Sequence, residues 1–403
     1  MNLKQECTTR GRRMFTAVFA VLAMALAGSM AAQTWTHIGP LGVGGNWDAV
    51  ACSADGTKII AARFFGWVYL STNSGGNWTI APMPSAEWYS TASSADGSKL
   101  LVCSTTSLYV STNSGLTWAT NTAEYAVFFQ IACSADGTRV AVASTGEGIL
   151  CSTDSGATFT TNAVPTGEFG SIVSSADGMK LVGMIASVRY PGIDAAIYRS
   201  VDSGVTWTQT GAPLGGWTCL ACSADGTTIA AVGDGELGIS KNSGVTWVTT
   251  NLNTAPLDPW VIACSADGTR LVVAGRAEDT NDIYTSLDSG QTWVTNSAPD
   301  EVWYGVAMSA DGSILLASAE GLTGGVYMAQ VPAQPSLNIT PCGTNLTLSW
   351  PLPSAEFALQ QSVDLTSTNW VNVTNGVTPT NYWNQVTVAP PASGNAFYRL
   401  AGP

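Results

Sequence analysis

Carboxylates are the side chains best supplied for catalysis in this sequence. His37 is the only histidine, which removes most Ser/His/Asp relays and most zinc sites, because both depend on imidazole. Asp48 leads the acids. It interrupts an apolar run at a place where the corresponding runs carry Tyr89, Phe129 and Trp260. Glu87, Asp300 and Glu301 lie in the segments that lead into such runs, and with Asp48 they are the catalytic candidates. Two carboxylates about 5–10 Å apart across a groove would suit glycoside hydrolysis. For ligand binding the same segments offer Asp48, Glu87, Glu168 and Asp258. Glu124 stands nearby, an insertion at 187–194 brings Arg189 and Tyr190, and a loop at 276–279 lengthens the same rim. A lone carboxylate in an apolar run is costly to keep without a partner, so Asp48 points to a ligand more strongly than any loop acid.

The elements that must position these acids are repeats. Ser-Ala-Asp-Gly begins at Ser53, Ser94, Ser134, Ser175, Ser223, Ser265 and Ser309, with spacings of 41, 40, 41, 48, 42 and 44 residues. That is the length of a four-stranded propeller blade. In the first unit the apolar run ending at Cys52 reads as the innermost strand, and 54–56 as a turn in which Asp bonds its own backbone and Gly accepts positive φ. Residues 58–62 and 68–71 read as the second and third strands, and a further turn leads to a fourth, outer strand.

That further turn reads Ser71-Thr72-Asn73-Ser74-Gly75-Gly76-Asn77-Trp78. It recurs at 111–118, 152–159, 200–207, 240–247 and 286–293, so the key position carries Asn73, Asn113, Asp154, Asp202, Asn242 and Asp288. The pattern resembles the Asp-box, or BNR repeat, S-x-D-x-G-x-T-W, of sialidases, sortilin-type receptors and photosystem II stability factors. The resemblance covers 33–331 and implies an all-β, seven-bladed β-propeller. The seventh unit lacks an outer strand of its own, while Gln33-Thr34-Trp35-Thr36 matches Gln291-Thr292-Trp293-Val294. The N-terminal strand is therefore expected to complete blade seven and leave no open edge.

In such propellers both repeated turns lie on one face and the loops that carry function lie on the other. Residues present in every blade serve the blade. This applies to the aromatic six places before each Ser-Ala-Asp-Gly (Trp47, Trp88, Phe128, Phe169, Trp217 and Trp303, with Pro259 in blade six), which is expected to pack between blades. It applies also to Cys52, Cys133, Cys222 and Cys264, whose equivalents are Ser93, Ser174 and Met308. A site that accepts Cys, Ser or Met wants a modest buried side chain, so these are expected to be free thiols.

The ends differ in character. Residues 1–32 join a basic stretch (Lys4, Arg10, Arg12, Arg13) to an apolar one and read as a signal peptide, with Arg12-Arg13 leaving Sec and twin-arginine export both open. Residues 332–403 follow a Pro-rich junction and read as six short strands of a small β-sandwich, similar to the fibronectin type III modules of secreted bacterial proteins. No apolar stretch after residue 32 is long enough to span a bilayer.

Charge and composition narrow the function. Of 15 Lys+Arg and 28 Asp+Glu, cleavage after residue 32 leaves 11 and 27, a balance of −16 that excludes nucleic-acid binding. A sialidase would need three convergent arginines, an activated tyrosine and a Phe/Tyr-Arg-Ile-Pro segment, and that segment is absent. The expectation is a secreted, cell-surface or periplasmic bacterial protein without cofactor or metal. It acts as a non-catalytic binding or assembly scaffold for an extracellular protein or carbohydrate. A carboxylate-dependent glycoside hydrolase and a purely structural spacer are the alternatives.

Overall fold

Each Ser-Ala-Asp-Gly turn is closed by its own side chains. Ser53 Oγ donates to Asp55 Oδ1 at 2.6 Å, the same oxygen accepts the Thr57 amide at 3.0 Å, and Ser53 Oγ accepts the Lys58 amide at 3.0 Å. The other six turns repeat the Ser–Asp bond at 2.6–2.7 Å. Glycine ends each turn because φ there is 63–70°, a region costly for residues with a Cβ. In the computed structural model the described residues are 33–40, 45–122, 128–144, 148–161, 169–185, 195–252, 259–275, 283–321, 324–331, 338–342, 345–351, 358–363, 370–373, 377–380, 383–389 and 396–401. They fall into two units, one ending at Pro332 and one running Ala333–Pro403.

The first unit is built from antiparallel sheets whose strands follow one another in the chain. The first sheet comprises Trp47–Cys52, Ile59–Arg63, Val68–Ser71 and Thr79–Ile80. Six more sheets begin with Ala86–Ser93, Phe128–Cys133, Phe169–Ser174, Cys219–Cys222, Pro259–Cys264 and Val302–Met308. Second strands such as Val140–Ser144 and Leu271–Gly275 are buried on both faces, because each sheet is covered on both sides by its neighbours. The core is a set of layers between sheets. Ile60, Ala62 and Leu70 pack on Trp88 and Val102 of the second sheet, while Trp47, Ala61 and Tyr69 pack on Leu316, Val326 and Met328 of the last.

The turns join into a closed circuit. Ala54 donates its amide to Ala95 O, Ala95 to Ala135, Ala135 to Ala176, Ala176 to Ala224, Ala224 to Ala266 and Ala266 to Ala310, and Ala310 returns to Ala54, all at 2.7–2.8 Å. The stems of Lys58, Lys99, Arg139, Lys180 and Arg270 each lie against the glycine of the next turn, where a Cβ would collide with them. Lys58 Nζ also donates to Asp96 O at 2.7 Å and Lys180 Nζ to Asp225 O at 2.8 Å.

The last sheet takes its outer strand from the start of the chain. Thr36 pairs with Met328 and His37 with Tyr327, beside Ile314–Glu320 and Val302–Met308. Gln33 N donates to Asn296 Oδ1 at 2.9 Å, and Thr34 bridges Ser297, so the segment also ties down the preceding sheet. Trp35 differs from its counterpart Trp293 in one respect. Trp293 Nε1 donates to Gly290 O at 3.1 Å, whereas Trp35 Nε1 is buried without a partner.

The described residues of the second unit form two sheets. One orders Asn338–Cys342, Asn345–Pro351, Trp383–Val388 and Thr378–Thr380, and the other Val371–Asn372, Ala358–Ser362 and Phe397–Ala401. Thr378–Thr380 is a strand that the period-2 reading missed, because Pro379 breaks its pattern. Leu348, Leu359 and Val386 form the buried centre. Residues 1–32, expected to be a signal peptide, lie outside the described residues.

Candidate functional site

The chemistry collects at the end of the first unit opposite the turns. A first strand of six residues carries its N-terminal end roughly 15–20 Å from the Ser-Ala-Asp-Gly turn that follows it. At that N-terminal end nearly every first strand holds a β-bulge. Trp47 pairs with Arg63 and Ala49 with Ala62, which leaves Asp48 as the extra residue. Tyr89, Phe129, Gly170, Trp260 and Tyr304 are the extra residues of the second, third, fourth, sixth and seventh sheets. In the fifth sheet, the amide of Thr218 donates to Val232 O at 2.7 Å while Cys219 is the register partner of Val232. A bulge releases one side chain from the alternation of the strand and re-aims it. Here six sheets hold such an extra residue, and five of the six carry a side chain, Gly170 having none.

The residues flanking the bulge do the opposite work. Trp47, Trp88 and Trp303 are wholly buried, and Phe128 and Trp217 nearly so. Trp88 Nε1 donates to Gly66 O at 2.9 Å and Trp217 Nε1 to Pro213 O at 3.0 Å. These aromatics pack between sheets, as expected. On the other flank, Ser90 Oγ accepts from the Ile131 amide at 3.2 Å, Gln130 Oε1 from Ile172 at 2.7 Å and Ser171 Oγ from Leu220 at 3.2 Å. Those bonds latch neighbouring first strands together. In the second, third and fourth sheets the latch thus falls to a flank of the bulged residue, whereas in the fifth the Thr218 hydroxyl itself donates to Trp260 O at 3.0 Å.

Asp48, Glu87 and Tyr89 come together at this mouth. Burial raises the Tyr89 hydroxyl above its ordinary value, and the charges of Glu87 and then Asp48 raise it further. Phe65 and Gly66, in the connection after Ile59–Arg63, pair with Glu87 and Ala86 and so extend the second sheet by a fifth, two-residue strand. The same connection sets Phe64 against Tyr89. Arg63, at its start, lays its guanidinium over Gly45, and its buried Nε has no hydrogen-bond partner.

Glu301 does not join this group. It is buried, and Tyr327 Oη donates to its Oε1 at 3.2 Å. Burial, followed by the charge of Glu301, pushes the Tyr327 hydroxyl up to about 12. Its neighbour Asp300 is exposed. His37 stacks edge-on against Tyr327 at 5.0 Å, in the closing strand. Glu168, Asp258, Arg189 and Tyr190 lie outside the described residues.

The six Ser-x-Asp/Asn turns are structural. Asn73, Asn113, Asp154, Asp202, Asn242 and Asp288 each accept a backbone amide three or four residues on through Oδ1, at 2.8–3.0 Å. The residue after each of them (Ser74, Ser114, Ser155, Ser203, Ser243, Ser289) has φ of 54–62°. Its amide is held by a carbonyl of the Ser-Ala-Asp-Gly connection in the same sheet, at 2.7–2.8 Å. Both repeated turns therefore sit side by side, away from the mouth. Among the described residues no group of His, Cys, Asp and Glu could hold a metal ion, and no helix is long and apolar enough to cross a membrane.

The succession of four-stranded sheets, without helix among the described residues, makes the first unit a β-propeller. Solved structures of the same fold include YCF48 from Cyanidioschyzon merolae, at a TM-score of 0.57 and 16% identity, covering 75% of this chain and 99% of that one. A second is YCF48 bound to D1 peptide, at 0.56 and 15% with the same coverage. At that identity the likeness speaks for the fold alone. No family model and no curated protein matches the chain.

Proposed function

We propose that this chain is a secreted, non-catalytic scaffold: a seven-bladed Asp-box propeller, carrying a fibronectin type III-like β-sandwich, that docks a protein partner at the bulge-lined mouth. The observation that carries the reading is the row of bulged residues, Asp48, Tyr89, Phe129, Gly170, Trp260 and Tyr304, set in sheets whose other positions repeat. The closed circuit of alanine hydrogen bonds supports the blade count. A similar propeller has been solved with a bound peptide, which favours protein over carbohydrate as partner.

A displayed library of random peptides, selected on the mature protein, tests this. Selected peptides should lose binding to Phe129→Ala and Tyr304→Ala and keep binding to Leu116→Ser, an exposed change at the turn end. Peptides indifferent to both mouth substitutions would overturn the reading.

A glycoside hydrolase has one observation in its favour, the action of both Asp48 and Glu87 on Tyr89. It comes second because Glu301 is buried against Tyr327 instead of facing a groove. Release of reducing sugar from xyloglucan by the parent protein, abolished in Asp48→Asn, would reverse the order.

A further inference from the structure

Four aromatic rings run in a line across the mouth. Phe65, Phe64, Tyr89 and Phe129 follow one another edge to face, with centroid separations of 4.5, 5.3 and 6.1 Å and interplanar angles of 73°, 90° and 86°. They come from three successive sheets. The line starts in solvent, where Phe65 is 68% exposed, and ends at the bulge of the third sheet. Its course is fixed by backbone bonds, since Phe65 pairs with Glu87 and the Trp88 amide donates to Phe64 O at 2.9 Å. Two carboxylates, Asp48 and Glu87, border its middle at Tyr89.

We infer that this line is a seat for lysine and arginine side chains of an extended basic protein segment, entering past Phe65 and placing a cation between Asp48, Glu87 and the Tyr89 ring. The inference rests on the docking reading above and adds the chemistry of the partner. Ring faces and carboxylates attract the same cation, and methylene stems lie well along aromatic edges. The net charge of −13 draws a basic segment towards the protein from a distance. A sugar would need one broad open ring face. Phe64, Tyr89 and Phe129 are each partly covered and abut one another at near right angles, which suits a thin aliphatic chain with a charged tip better than a pyranose.

Calorimetric titration of the mature protein with hexalysine, side-chain-acetylated hexalysine and a xyloglucan heptasaccharide tests the inference. Hexalysine should bind with unit stoichiometry and the acetylated form should not. Removing both mouth charges in Asp48→Asn/Glu87→Gln should weaken hexalysine about tenfold or more, and Phe64→Leu or the exposed Phe65→Ser about threefold or more. The control is Asp154→Asn/Asp202→Asn, which removes the same charge at the turn end and installs the residue found at 73, 113 and 242; it should leave binding unchanged. Equal weakening by both double variants, no effect of either phenylalanine variant with melting temperature preserved, absence of hexalysine binding, or tighter binding of the heptasaccharide would each overturn it. Displayed peptides that need Phe129 and Tyr304 but carry no basic residue would sink this inference and leave the docking reading standing.

Discussion

The amide of Ala310 donates to the carbonyl of Ala54 at 2.7 Å, joining the last Ser-Ala-Asp-Gly turn to the first. Each such bond contributes about 0.5–1.5 kcal/mol net, and the circuit lets no turn shift without disturbing two others. The N-terminal segment closes the opposite, outer end of the same seam through Thr36, His37 and the bond from Trp78 Nε1 to Ile38 O.

Deleting residues 33–38 should therefore unfold the first unit rather than fray one sheet. It removes Trp35 from the last inter-sheet core and bares the edge at Val326–Gln330. Thermal unfolding followed by near-ultraviolet circular dichroism would show a large drop in midpoint or no folded baseline. A midpoint equal to that of the parent would refute the closure.

Gly204→Ala should cost about 1–3 kcal/mol. Gly204 has φ of +87°, and a methyl there would run into Cys151 Sγ, which is buried. Cys151→Ala makes room, so the double variant should be less destabilised than the two single changes added together. Simple additivity in urea titrations would show that backbone strain, and not the thiol, sets the cost.

Acid should loosen the turns over a defined range. Bonds from the serine hydroxyls, then the amides two residues on, hold Asp55, Asp96, Asp136 and Asp225 down at about 2, against an ordinary 3.8. Because the folded values are depressed, the stability they bring is fully present above about pH 4 and is lost as pH falls towards 2. These carboxylates are exposed, so salt should blunt the effect. Unfolding free energy measured in urea from pH 6 to pH 2 should stay level and then fall; a level curve down to pH 2 would contradict the turn chemistry.

Cys52, Cys103, Cys133, Cys151, Cys219, Cys222 and Cys264 carry no disulfide. Loss of hydration pushes the thiols of Cys52, Cys103, Cys133 and Cys222 up to about 12, so at pH 8 only about one in ten thousand is thiolate. Iodoacetamide should leave them unmodified in the native protein and label all of them in guanidinium without reductant. A peptide pair linked through any two of them would disprove this.

Adjacent residues should respond in opposite ways. Trp303→Ala and Trp88→Ala empty wholly buried positions and should cost about 3–5 kcal/mol. Tyr304→Ala and Tyr89→Ala remove bulged side chains and should cost no more than about 1.5 kcal/mol. Chemical denaturation of the four variants checks this, and comparable losses within each pair would contradict the division of labour at the bulge.

The repeat was legible because two turn chemistries, Ser-Ala-Asp-Gly and Ser-x-Asp/Asn-x-Gly, each demand particular residues at fixed offsets. Asp48 was legible for the opposite reason, as a charge where other units carry aromatic or small residues. The bulge itself was not, since a bulged strand and a regular strand share the same apolar run and differ only in pairing. Glu301 looked like a rim acid because its partner, Tyr327, lies on another strand of the same sheet. Six serines at positive φ were likewise hidden, as serine carries no mark of that conformation. The alanine circuit did leave a signal, one small residue unchanged in seven turns, whose meaning depends on neighbours distant in sequence.

The bulges also bear on how such a molecule can change over generations. In the second sheet the extra residue Tyr89 sits between the packed Trp88 and the latched Ser90, and the register beyond it is undisturbed. Substitution there leaves the register of the strand intact, although Tyr89 also packs on the core between the second and third sheets. The bulged positions can therefore drift more readily than their neighbours, with 89 and 129 coupled through their stacked rings, and a new combination of side chains is presented by a frame already paid for by the other residues of the repeat. A library randomised at 48, 89, 129, 170, 260 and 304 would retain folded members at a rate that a library at the preceding residues could not approach.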